Sequence, residues 1–232
     1  AAALTGPLEA SADRLRGANQ GSEWQAAEIA ELRQALRARL VVAAAGGHGP
    51  QAVVEATQAA APPDCRATVD SGAHMLSAMA FWQAERPFDV LKSNGLSTMG
   101  FALPAAIAAA LHEPARPVVA FTGDAGLMMC LSELATAVRH GCRLVVIAFN
   151  DAALSMIDIK QQRQGRASRG VRYPAVDLAA AARALGCRGW RVDPDTQLAP
   201  ILDQAFAADR PALVDIAIDP SGYAAQLAAL RD

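Results

Sequence analysis

Two unbroken apolar stretches, VVAFT at 118–122 and LVVIAF at 144–149, dominate the pattern of hydrophobic and polar positions. A strand that alternates apolar with polar residues is covered on one face, whereas a strand without polar breaks is covered on both. Shorter runs with polar breaks predict further strands at 66–70, 188–192 and 212–218. Between them, apolar residues recur three to four positions apart and predict helices at 50–60, 73–82, 104–111, 131–140, 176–185 and 196–208, with 88–96 as a connector. Parallel strands need crossovers of this length, so the pattern predicts an α/β fold: a doubly wound parallel sheet with helices on both faces.

Upstream of this alternation the pattern changes. Residues 1–48 mix alanine with charged residues, and 23–40 has helical spacing, with Trp24, Ala27, Ile29, Leu32, Leu36 and Leu40 near one side. The segment AAAGGHGP at 43–50 reads as a boundary, because glycine frees the chain and proline suits the first turn of the next helix. Its GGHG lacks both the GxGxxG spacing and a preceding strand, so it reads as plain linker rather than a dinucleotide fingerprint. Two parts are expected, a helical linker or arm over 1–48 and the α/β domain over 49–232. The start at Ala1 rather than methionine points to a piece of a longer polypeptide or a processed terminus.

Composition narrows the class. The 232 residues are 53% hydrophobic and 19% charged, which excludes disordered and fibrous chains. Basic residues (21) nearly balance acidic ones (23), giving a net charge of −2 with no basic stripe, so nucleic acid is not an expected partner. Cys65, Cys130, Cys142 and Cys187 show no CxxC spacing, which argues against zinc or a disulfide framework and for a reducing, cytoplasmic setting. No apolar run approaches the roughly 18 residues of a membrane helix, so no membrane partner is expected.

Ligands of such sheets bind beyond the carboxyl ends of the strands. The residues there are Gly123-Asp124-Ala125-Gly126 and Asn150-Asp151, with the two aspartates 27 positions apart, the length of one strand–helix–strand unit. A right-handed crossover brings both carboxylates to one rim, where they repel unless a cation lies between them. Taken singly, Asp124 is explained by a helix cap and Asn150-Asp151 by a turn. Together they suit Mg²⁺, which takes oxygen ligands and completes its shell with phosphates. Main-chain N–H groups of the small-residued loop 123–126 would hold the phosphate.

GDAG followed 27 positions later by the Asp of ND resembles the GDG…NN thiamine diphosphate signature of the acetolactate synthase and pyruvate decarboxylase superfamily. DSGAHM (70–75), NGLSTMGFALPAAI (94–107), SELATAVRHG (132–141) and LSMIDIKQ (154–161) extend the resemblance over roughly 48–218. It covers the C-terminal diphosphate-binding (PP) domain of those enzymes. Residues 1–48 then look like the connector before that domain, while the pyrimidine-binding and middle domains have no counterpart in these residues.

The resemblance implies roles residue by residue. Asp124 and Asp151 would ligate Mg²⁺ with the main-chain carbonyl of Ala153, Asp151 standing where the family usually has asparagine. Gly123, Ala125 and Gly126 would complete the diphosphate loop. Ala125 replaces the usual glycine, and ordinary φ is expected for it. Ala73 and His74 would contact the diphosphate, as would the N–H of Met156. Met99 matches the apolar residue that wedges between the cofactor rings and holds them bent, and the Ser97 carbonyl would accept from the pyrimidine amino group. The bend makes an intramolecular base effective through proximity. Ile157 stands where decarboxylases similar to the yeast enzyme carry glutamate, and Lys160 where acetolactate synthases carry tryptophan. The stretch KQQRQGRASRGVR at 160–172 is either a lid over the cofactor or a solvated loop.

In such enzymes a glutamate of the pyrimidine-binding domain, usually from a second subunit, drives the cofactor's tautomer change. No glutamate here matches it, so the chain is expected to be inactive without that domain, on the same or another subunit, and to work as a homodimer or homotetramer. The implied reaction is decarboxylation or carboligation of a 2-oxo acid or aldehyde. The alternative is a non-catalytic phosphate- or nucleotide-binding module that keeps the fold.

Overall fold

In a computed structural model, which describes residues 24–230, the chain divides into two units, Ala1–Ala38 and Arg39–Asp232. Residues 26–38 of the first belong to helix α1 (Ala26–Leu40). Leu40 is its buried residue, while Ile29, Leu32 and Leu36 of the expected apolar stripe are exposed. The start of the proposed arm, residues 1–23, lies outside the described residues. Within the second unit the glycine-rich segment is tied down. Gly46 N–H donates to Asp219 Oδ2 at 2.9 Å, Asp219 N–H donates to the His48 carbonyl at 3.0 Å, and His48 bridges Ile218 in parallel.

The second unit is a six-stranded, all-parallel sheet with helices on both faces. Its elements in chain order are α2 (Pro50–Ala60), β1 (Arg66–Val69), α3 (His74–Phe81), β2 (Val90–Lys92), α4 (Ala102–His112) and β3 (Val118–Gly123). There follow α5 (Asp124–Met128), α6 (Glu133–Arg139), β4 (Leu144–Asn150), α7 (Ser155–Arg163), α8 (Leu178–Ala184) and β5 (Arg188–Val192). The last are α9 (Leu198–Phe206), β6 (Ala212–Ala217) and α10 (Tyr223–Ala229). The strand order is β2-β1-β3-β4-β6-β5.

The unbroken apolar strands do what their pattern predicts. Val119, Phe121, Val145, Ile147 and Phe149 join a core with α2, α3, α9 and Tyr223, while Val118, Ala120, Leu144, Val146 and Ala148 join a second core with α4, α6 and α8. Alternate side chains leave opposite faces of a strand, so burying both sets requires helices on both sides. Local chemistry supports the helices: Pro50 opens α2, and Asp177 caps α8 by accepting from the Ala180 N–H at 2.8 Å.

Several elements differ from the expected ones. The connector at 88–96 contains β2, a three-residue, half-buried edge strand too short and too polar at its flanks to show a period. The helix expected at 131–140 is preceded by a separate short helix, α5, directly after β3. Part of the basic stretch 160–172 is α7, and α10 follows a proline–glycine turn beyond the last expected strand.

Candidate functional site

The chain leaves β1 toward β2 on one side and β3 toward β4 on the other, which makes the carboxyl ends of β1 and β3 a topological switch point. Asp70 follows β1 and is 1% exposed. Its Oδ1 accepts from the N–H groups of Ser71 (2.9 Å) and Phe101 (3.1 Å), and its Oδ2 from Gly100 N–H (3.0 Å) and the Thr122 hydroxyl (2.8 Å). One carboxylate thus pins the Met99–Gly100 turn to the ends of β1 and β3. Gly126 closes against it, since a Cβ there would stand 2.4 Å from Asp70 Oδ2.

A cleft with about 440 Å³ of empty space, part of it open to solvent, lies over these strand ends. Its lining contains Ala73, His74, Met99, Gly123, Asp124, Ala125, Gly126, Asp151, Ala153 and Met156, so the structure brings together all the candidate site residues except Ser97. Ser97 sits at the rim, with its hydroxyl 2.8 Å from that of Ser71, and has a left-handed φ of +52°. Ile157 also lines the cleft, whereas Lys160 is exposed outside it.

Asp124 opens α5 and is 4% exposed. Its Oδ1 accepts from Ala125 N–H at 2.7 Å and from the Tyr173 hydroxyl at 2.9 Å, and its Oδ2 accepts from Ala152 N–H at 2.8 Å. Burial pushes its carboxyl above the usual range despite these donors. Asp151, one residue beyond β4, is pushed up to about 6 by burial, with the Asp124 charge adding to the shift and a hydrogen bond from the Ser155 hydroxyl opposing it. The strand end before it is fixed by Asn150, whose Nδ2 donates to Asp215 Oδ1 at 2.8 Å and to the Val176 carbonyl at 3.0 Å. Backbone strain falls on Ala152, at φ +54°, while Ala125 lies in α5 with ordinary φ.

His74 begins α3, stacks on Phe149 at 5.3 Å between ring centroids and is 3% exposed. Burial lowers its pKa to about 4, with the Asp70 charge opposing, so the imidazole is neutral. Its Nε2 is buried without a hydrogen-bond partner although the residue lines the cleft. A buried polar atom of this kind needs a partner and fits an incoming oxygen.

Among the described residues no three His, Cys, Asp or Glu side chains converge on a metal position. A cation here would therefore take Asp124 and Asp151 together with main-chain and ligand oxygens, a donor set that suits a hard ion. Among the described residues the lining contains no lysine or arginine.

The stretch 160–172 resolves into the end of α7 and a loop fastened from below. Buried Asp158 accepts from the Arg172 guanidinium at 2.8 and 3.1 Å and from the Ser168 hydroxyl. Tyr223, which lines the cleft, and Tyr173, which reaches it through its hydrogen bond to Asp124, are not among the candidate residues. They are the only two tyrosines of the sequence, and that scarcity is the one hint it offers.

Residues 70–216 match the family model described as thiamine pyrophosphate enzyme, C-terminal TPP binding domain. A putative thiamine pyrophosphate-containing protein, YdaP, of Bacillus subtilis is 36% identical over 73% of this chain and 29% of its own length. The acetolactate synthase of the same organism is 32% identical over 74% of this chain and 30% of its own length. The chain thus spans under a third of these relatives. No helix among the described residues is long and apolar enough to cross a membrane. By fold, a thiamine diphosphate-dependent 4-hydroxybenzoylformate decarboxylase from Rhodococcus jostii superposes with a TM-score of 0.69 at 22% identity, over 77% of this chain and 34% of that one. Benzoylformate decarboxylase from Polynucleobacter necessarius gives 0.67 at 19% identity, over 73% and 33%.

Proposed function

This chain belongs to the thiamine pyrophosphate enzymes, whose C-terminal TPP-binding domain it carries, and we propose that its cleft holds the diphosphate of thiamine diphosphate through Mg²⁺. The observation that carries this reading is a pair of acids, Asp124 and Asp151, in a cleft lined by no lysine or arginine among the described residues. A diphosphate cannot enter such a cleft unless a cation neutralises it and the acids together.

Asp124, Asp151 and the Ala153 carbonyl hold the ion. The main chain of Ala73 and of residues 123–126 lies against the phosphates, and His74 Nε2 meets an oxygen there. Met156 lies in the first turn of α7, where N–H groups have no intrahelical carbonyl, and donates to the same group. Met99, on the turn pinned by Asp70, supports the bent cofactor, and the Ser97 carbonyl receives its amino group. When bound, the cofactor supplies a nucleophilic carbon and an electron sink for making or breaking a C–C bond next to a carbonyl. The protein's share is to position it and exclude water from it.

The substrate class is a 2-oxo acid or aldehyde, and the reaction is decarboxylation or carboligation. Activity needs a pyrimidine-binding domain, from the same polypeptide or another subunit, and the working form is a homodimer or homotetramer in the cytoplasm. Calorimetry tests the site: thiamine diphosphate should bind only with Mg²⁺ present, and Asp124→Ala should abolish the heat. Tighter binding of ATP or NAD would instead favour a non-catalytic nucleotide module.

A further inference from the structure

An ionised carboxylate oxygen accepts about two bonds. At Asp124, Oδ1 already has two, from Ala125 N–H and the Tyr173 hydroxyl, whereas Oδ2 has one, from Ala152 N–H. One position remains, and it is on Oδ2. We propose that Tyr173 is a positioning residue that closes Oδ1 and thereby makes Asp124 a one-oxygen ligand of the divalent ion. This rests on the reading of the cleft given above and goes beyond it in assigning the ligating oxygen and the residue that selects it.

The hydroxyl is not placed by a free loop. Residues 171–173 run along residues 152–154: Leu154 N–H donates to the Val171 carbonyl at 2.8 Å, Ala153 and Arg172 form an antiparallel bridge, and Tyr173 N–H donates to the Ala152 carbonyl at 3.1 Å. Arg172 is in turn held by the buried Asp158 carboxylate. The strap that carries the hydroxyl is therefore zipped to the loop between Asp151 and Ala153. Asp124, whose Oδ2 accepts from Ala152, is clamped from both sides.

This clamp has a chemical consequence. Mg²⁺ demands near-octahedral geometry at short distance, which suits a carboxylate offering one oxygen, whereas the larger Ca²⁺ accepts two-oxygen carboxylates and higher coordination. Removing the hydroxyl opens Oδ1, frees the carboxylate to turn, and shifts the site from Mg²⁺ toward Ca²⁺. Outer-shell partners of metal ligands commonly contribute 10–100-fold to affinity.

The test is calorimetric titration of the full chain with Mg²⁺ and, separately, Ca²⁺, at saturating thiamine diphosphate, for the wild type and Tyr173→Phe. The variant should bind Mg²⁺ about tenfold or more weakly, lose far less for Ca²⁺, and keep a single cooperative metal-free melting transition. Unchanged Mg²⁺ affinity overturns the proposal, and so does an equal loss for both ions, which marks a merely structural tyrosine. If the wild type takes up neither ion, the cleft reading itself fails and the role of Tyr173 fails with it. If the wild type binds Mg²⁺ and Asp124→Ala does not, while Tyr173→Phe binds normally, only the role of Tyr173 is lost.

Discussion

Replacing Asp70 with asparagine keeps the size of the side chain and removes one of its two acceptor oxygens. Four donors converge on the carboxylate, two on each oxygen. In the best orientation the asparagine oxygen keeps the Ser71 and Phe101 N–H groups, and its amide faces Gly100 N–H and Thr122. The Thr122 hydroxyl can adapt, since it also lies 3.1 Å from the Gly123 carbonyl and can donate there while accepting from the amide. Gly100 N–H has no such escape and becomes a donor facing a donor, which costs about 1–3 kcal/mol when buried. The two remaining bonds lose their charge assistance, each weakening by about 1 kcal/mol. Asp70→Asn should therefore destabilise the metal-free chain by about 3–5 kcal/mol, read as a lower urea midpoint at unchanged slope. A loss under about 1 kcal/mol would refute the accounting. Gly126 provides a second check, because an added Cβ meets Asp70 Oδ2 at 2.4 Å. Gly126→Ala should be severe alone and far milder in an Asp70→Ala background, and strict additivity of the two would contradict the geometry.

Two further predictions concern charge. His74 titrates near 4 in the fold against about 6.5 when unfolded, so its neutral form contributes stability that is complete above pH 6.5 and lost as pH falls toward 4, up to about 3 kcal/mol. Urea midpoints of the wild type should fall across that window more steeply than those of His74→Gln, and parallel curves would exclude a buried neutral imidazole. Asp151 has the opposite sign: its pKa is raised to about 6, so its charge costs stability once pH rises through that value, by roughly 1–2 kcal/mol after allowing for its partial exposure. Asp151→Asn should raise the melting temperature of the metal-free chain at pH 8 but not at pH 4, and no gain at pH 8 would refute the cost of burying this charge.

The sequence displays what depends on period and topology. β3 and β4 are legible because burial on both faces removes polar residues altogether, and Asp124 and Asp151 are legible because strand ends are where a parallel sheet binds its ligands. β2 is not, because three residues at a sheet edge carry no period, and α10 is hidden behind the turn residues that precede it. Partnerships across loops are hidden for a different reason. Tyr173 lies 49 positions from Asp124, and no local pattern encodes which side chain a fastened loop will deliver. Strain is displaced in the same way: glycine loss at position 125 draws the eye, yet the left-handed alanine is Ala152, where the chain turns back to give its N–H to Asp124.

These hidden partnerships decide the chemistry more than the visible ones do. Asp70 and Asp124 are held by main-chain N–H groups and hydroxyls rather than by arginine or lysine. Such donors fix the direction of a carboxylate without cancelling its charge, whereas a guanidinium would have cancelled it and left nothing for a metal to satisfy. The basic residues that would suit a diphosphate stand outside the lining instead, with Arg172 spent on Asp158 and Lys160 exposed. A cleft built this way repels a bare anion and holds a bare cation only through two acids. Cation and diphosphate should therefore bind with strong mutual dependence, each weakly alone, and by linkage the factor by which Mg²⁺ tightens thiamine diphosphate must equal the factor by which thiamine diphosphate tightens Mg²⁺.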